Sequence, residues 1–159
     1  TETLYSRILG TARERGLIYS MSSGYSQNNT NSNWWFGAQV LPRNAKALFN
    51  ITIKELKAIF NGNLADADVQ AAKQYAIGRF QRGAQTVGGT SSGYAYRYFF
   101  DDVIEDYYQV PARIKAITKQ RIERVANTMF EDGIWGLGCL SNAGEPFIDQ
   151  LYNQIRTLW

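Results

Sequence analysis

Apolar side chains recur at three-and-four spacing from the start of the chain. Leu4, Tyr5, Ile8, Leu9 and Ala12 fall on one face of a helix predicted over residues 2–14. The charged end Arg13-Glu14-Arg15 is followed by Gly16, a natural stop because glycine readily takes the left-handed conformation that closes a helix. The period then changes. Leu17 to Ser26 and Asn33 to Leu41 are short aromatic and β-branched runs flanking the polar cluster QNNTNSN, which reads as a hairpin with a loop of about six residues.

Helical spacing returns at Pro42 and Asn44, and Leu48, Ile51, Leu56 and Phe60 carry a helix to Asn61, where Asn-Gly-Asn breaks it. A second long helix has Asp66 and Asp68 in its first turn, favourable at the positive end of the helix dipole, and runs to Arg82 on the stripe Val69, Ala72, Ala76, Ile77 and Phe80. The group GGTSSG, residues 88–93, marks a loop or helix break before an aromatic helix, YAYRYFFDDV. A short helix over 110–116 has Pro111 in its first turn, and another starts from an N-cap at Thr118 and continues through Ile122, Val125 and Met129. GIWGLGCLS, residues 133–141, is predicted as a third strand, and a helix opened by Pro146 closes the chain on the stripe Phe147, Ile148, Leu151 and Ile155.

Segregated strands and helices indicate an α+β fold, an antiparallel or mixed sheet with helices packed on one face. The length of 159 residues corresponds to one domain, 1–159, large enough to bury a core without disulfides or structural metal. Three strands make a thin sheet, and the chain starts with Thr1 directly in a helical pattern. The expectation is therefore an excised, N-terminally incomplete segment of a longer polypeptide.

Composition narrows the chemistry. With 45% hydrophobic and 19% charged residues the chain is an ordinary globular one, and its single cysteine, Cys139, cannot form an internal bridge. It has no histidine, which removes His-based zinc sites and Ser-His or Cys-His nucleophile pairs. The segment is expected to hold no cofactor and to be inactive alone. A net charge of +3 is dispersed along the chain, and Arg113, Lys115, Lys119, Arg121 and Arg124 are a weak nucleic-acid signal, so no nucleic-acid partner is expected. No apolar run is long enough for a membrane span and TETLYSRIL lacks the features of a signal peptide, so no membrane partner is expected and the compartment stays open.

Other candidate sites have simpler readings. Trp34, Trp35 and Phe36 would make a stacking platform only if they shared a face, whereas consecutive strand residues point opposite ways. Asp101, Asp102, Glu105 and Asp106 lack calcium-loop spacing and read as a solvated acidic surface. Glycines 83, 88, 89 and 93 lack the Lys-Ser/Thr of a phosphate loop. The glycosylation patterns at Asn28-Asn29-Thr30 and Asn50-Ile51-Thr52 are of low specificity, and the second falls inside a predicted helix.

The order of motifs does carry a resemblance. A helix ending in Arg15-Gly16-Leu17-Ile18-Tyr19-Ser20, a hairpin, an Asn44-Ala45 helix, an Ala71-Ala72-Lys73 helix with an acidic start, and a final strand and helix resemble the C-terminal, non-zinc-binding domain of the pitrilysin/insulinase family of zinc metallopeptidases, in a mitochondrial processing peptidase-like form. The resemblance implies a half-domain that faces a homologous zinc-bearing domain, in the same chain or a partner chain, around a peptide substrate. The zinc would sit in that partner on an H-x-x-E-H helix. It also implies that an arginine and a tyrosine touch the substrate backbone near the scissile bond, the arginine as a fork for a carbonyl or carboxylate and the phenol as a donor to an oxyanion. Tyr19 falls at the tyrosine. The family arginine stands seven residues earlier, which is Ala12 here, with Arg13 one step later. Either Arg13 takes the role, as a substrate-binding residue beside Tyr19, or the contact is gone. A catalytically inert structural or protein-interaction domain of the same fold is the alternative.

Overall fold

The computed structural model describes residues 6–27, 30–131 and 134–159. Along these the elements are α1 (Arg7–Glu14), β1 (Ile18–Gln27), β2 (Ser32–Val40), α2 (Pro42–Phe60), α3 (Asp66–Gly83), α4 (Val87–Asp101), α5 (Val110–Lys115), α6 (Lys119–Glu131) and α7 (Glu145–Ile155). Two compact units form, Thr1–Gly62 with Ala126–Trp159, and Asn63–Val125.

In the first unit β1 and β2 pair antiparallel from Ile18↔Val40 to Gln27↔Ser32, which shortens the expected connection to residues 28–31. The core is built where α1 and α2 meet this hairpin: Ile8, Leu9 and Ala12 of α1, Ile18 and Met21 of β1, and Leu48 and Ile51 of α2, with Leu17, Phe36 and Val40 packed against them. This is a mixed α+β fold with a small antiparallel sheet and helices packed around it. Residues 2–5 of the predicted first helix lie outside the described residues.

Helix α7 buries Leu151 and Ile155, and Gln154 Nε2 ties it to α2 by donating to Lys46 O at 2.9 Å and Asn50 Oδ1 at 2.5 Å. Beside it runs a ladder of rings, Phe60, Phe130, Trp159, Trp135 and Tyr152, with successive centroids 3.9, 5.0, 5.0 and 4.9 Å apart. The Phe60–Phe130 pair is tilted by 52° and the other three are stacked, and such ring pairs add to the stabilisation that their buried area gives.

The third strand does not form. Residues 134–141 have no regular secondary structure, and among the described residues the sheet has two strands. The run Ile134 to Leu140 has the apolar spacing of a strand, but a strand needs a neighbour for its backbone groups, and Leu140 is fully exposed. Gly133 lies outside the described residues.

In the second unit the GGTSSG segment is also a correction. It is neither loop nor break; α4 runs through it from Val87 to Asp101. Thr86 caps the helix by accepting from Gly89 N at 3.0 Å, and Thr90 Oγ1 donates to Ala84 O at 3.2 Å. A Cβ at Gly89 would collide with Gly83 O, so glycine serves a close backbone approach here. Val69 and Ile77 of α3 are buried, Phe80 stacks on Tyr107 at 4.7 Å, and Lys73 Nζ donates to Lys115 O at 2.9 Å.

Candidate functional site

The junction between α1 and β1 is set by a single turn. Gly16 takes φ +64°, Gly16 N donates to Arg13 O at 2.9 Å, and Leu17 N donates to Ala12 O at 2.9 Å. These two bonds make a Schellman closure, in which the left-handed residue lets the chain reverse onto the last helical carbonyls. Leu17 is thereby held against the core, and the strand begins immediately after it.

The strand entry then departs from simple alternation. Ile18 pairs with Val40 but Met21 pairs with Ala38, so β1 carries one extra residue between them. This bulge lets Ile18 and Met21 both face the core and leaves Tyr19 and Ser20 outside, where strict alternation would have buried Tyr19 with Met21. Tyr19 is 81% exposed.

The helix end supplies the cation. Ala12 is completely buried, and one residue further, about 100° around the helix, Arg13 faces out. Its guanidinium carbon lies 5.2 Å from the centre of the Tyr19 ring, a cation–π contact worth about 0.5–1 kcal/mol at an exposed site. Arg13 and Tyr19, the two residues singled out in the sequence, thus stand together on an open hollow of about 560 Å³ that Gly16, Leu17, Gln39 and Asn44 also line. Among the described residues no hydrogen bond engages the Tyr19 hydroxyl or the Arg13 guanidinium, so the phenol and the guanidinium donors face solvent. Two residues of this wall were not found in the sequence as site residues. Gln39 carries no local signal, while Asn44 enters the sequence reading as a helix start and as part of the motif order, not as a site residue.

The other candidates resolve into structure. Trp34 and Phe36 lie 5.4 Å apart on one face of β2 while Trp35 projects from the other, so the three rings form no common platform. Arg97 pairs with Asp101 at 2.8 Å and with Glu105 at 3.2 Å, and Arg113 also pairs with Glu105. Of the acidic group, Asp101 and Glu105 are thus engaged in ion pairs, while Asp106 Oδ1 accepts from Tyr108 N at 3.0 Å. Among the described residues no group of His, Cys, Asp or Glu could hold a metal ion, so these side chains do not fit a zinc centre. Thr52, the threonine of the second glycosylation pattern, is 1% exposed inside α2 and donates to Leu48 O at 3.0 Å. The pattern at Asn28 lies outside the described residues apart from Thr30. No described helix is long and apolar enough to cross a membrane.

Comparison with curated proteins gives no match. Comparison with protein families does: over residues 1–75, which carry α1, the hairpin, α2, the start of α3 and with them Arg13 and Tyr19, the chain matches the family described as the Peptidase M16 inactive domain, the non-catalytic C-terminal domain of the pitrilysin/insulinase group.

Proposed function

We propose that this chain, as a single half-domain, supplies a peptide-facing wall to a zinc-dependent peptidase, whose metal and general base belong to a homologous H-x-x-E-H domain. The observation that carries the proposal is the outward pairing of Arg13 with Tyr19 on an open hollow, within the stretch matched to the inactive domain. A guanidinium over an aromatic face keeps donors free for a substrate carbonyl. The phenol beside it has a free hydroxyl to offer the oxyanion of a tetrahedral intermediate.

In this role Tyr19 acts in the transition state more than in the ground state. Assayed with a zinc-bearing H-x-x-E-H domain and a quenched fluorescent peptide, Tyr19→Phe is expected to lower kcat by roughly tenfold or more with little change in KM, as loss of one oxyanion donor does. Arg13→Ala is expected to raise KM instead. Unchanged kinetics for both variants would remove the role.

One observation favours a second reading, a catalytically inert structural or interaction domain. The place seven residues before Tyr19 is held by an alanine sealed in the core. Under that reading the chain still associates with the zinc-bearing domain, but neither variant changes turnover.

A further inference from the structure

We propose that Asn44 is a positioning residue for the Arg13–Tyr19 pair, acting through the Leu17 carbonyl. The inference rests on the peptide-wall reading for its function and on local geometry for its mechanism. Leu17 is the one residue between the left-handed Gly16 and the first paired residue of β1, Ile18. Neither of its backbone polar groups belongs to the hairpin ladder. Its N–H is taken by Ala12 O of α1 at 2.9 Å, and its carbonyl accepts from Asn44 Nδ2 at 3.2 Å, across 27 residues of sequence. The backbone of Leu17 is therefore clamped from two helices at once.

Fixing that carbonyl fixes the peptide plane between Leu17 and Ile18, since the two dihedrals on either side of a rigid amide are what remain free. The plane decides which way Ile18 points. With Ile18 inward, the bulge sends Tyr19 outward, over the hollow and under the guanidinium of Arg13. Without the donor, the Leu17 carbonyl turns to water and the bulge has no fixed start. Asn44 itself sits at the third position of α2, where its backbone N–H bonds Leu41 O at 2.8 Å, so its side chain is a rigid arm from a helix end and a wall of the same hollow.

The test uses the isotope-labelled 159-residue chain and two variants, Asn44→Asp and Asn44→Ala. Aspartate keeps the shape, replaces the donor by an acceptor, and suits the first turn of a helix; alanine simply removes the donor. Both leave α2 able to form. In the unaltered chain the Arg13 side-chain protons, over the Tyr19 ring, are expected to carry an upfield ring-current shift. In both variants that shift is expected to fall by at least half, while the Ala12 and Met21 methyl signals stay in place. Affinity for a fluorescein-labelled β-casein peptide, read by anisotropy, is expected to drop several-fold in each, and Arg13→Ala combined with Asn44→Ala to be no weaker than Arg13→Ala alone. An unmoved Arg13 signal in either folded variant overturns the positioning role, whatever the peptide does. A lost Arg13 signal with unchanged peptide affinity supports the clamp and overturns the peptide-wall reading instead. If Asn44→Asp fails to fold, Asn44→Ala carries the same two readouts.

Discussion

A side chain can be brought to a surface by a residue that never touches a ligand, and Gly16 is such a residue. Its φ of +64° lies where a Cβ crowds the following carbonyl, at a cost of about 1–2 kcal/mol for an L-residue, although no atom lies within 4 Å of the position a Cβ would occupy. Gly16→Ala is therefore expected to lower stability by about 1–2 kcal/mol through backbone strain alone, measurable as a shift in urea midpoint without change in slope. A loss below a few tenths of a kcal/mol would mean that the turn relaxes to another conformation. The stop at Gly16 and the phenol two residues into the strand run are accessible to pattern reading, because each rests on a residue type at a fixed offset, whereas the direction of Arg13 stays open until the end of α1 is placed. The bulge is not accessible in this way either. It depends on one strand having an extra residue relative to its partner, between Ile18 and Met21, and nothing in the spacing of β1 alone records the register of β2.

At the scale of elements, the hairpin and most of the helices follow their apolar periods, and the two misreadings have opposite causes. Gly88, Gly89 and Gly93 were read as a break because each costs about 1 kcal/mol in a helix relative to alanine. Helix α4 forms nonetheless, since the Thr86 cap satisfies an orphan N–H and Gly89 admits the Gly83 carbonyl. In residues 134–141 the pattern favours a strand, yet propensity is local while a ladder is not, and no described neighbour supplies the second half of the hydrogen bonds. Helix α4 offers the sharper test. Thr86→Ala is expected to cost about 1 kcal/mol by loss of the cap. Gly89→Ala would gain helix propensity, but its methyl meets a backbone carbonyl that cannot step aside as a flexible side chain can, so a net loss of about 1–3 kcal/mol is expected. Were Gly89→Ala to raise the melting temperature instead, the close approach would be dispensable and propensity alone would govern this end of α4.

For the molecule as a whole, burial is unequal along the chain. Of the apolar residues sealed from solvent, only Val69 and Ile77 belong to Asn63–Val125 among the described residues, and all the others belong to the first unit. Helix α4 buries none of its residues, and Phe99 is 80% exposed. A fully buried Val or Ile contributes about 1.5–3 kcal/mol, while ordering each residue costs about 1–2 kcal/mol of backbone entropy, so a stretch with two such anchors has much less to hold it closed. Stacking of Phe80 on Tyr107 and the Arg97–Asp101–Glu105–Arg113 ion pairs offset part of this, but exposed pairs are worth little each. Local opening should therefore be graded. Amides of α3, α4 and α5 are expected to exchange with solvent deuterium roughly tenfold or more faster than those of β1 and α2, where Met21, Leu48 and Ile51 share one core. Ile77→Ala sharpens the contrast: it is expected to abolish slow exchange across α3 to α5 while leaving Leu48 and Met21 protected. Uniform protection along the chain, or loss of both regions together in that variant, would show instead that the two units open as one cooperative body.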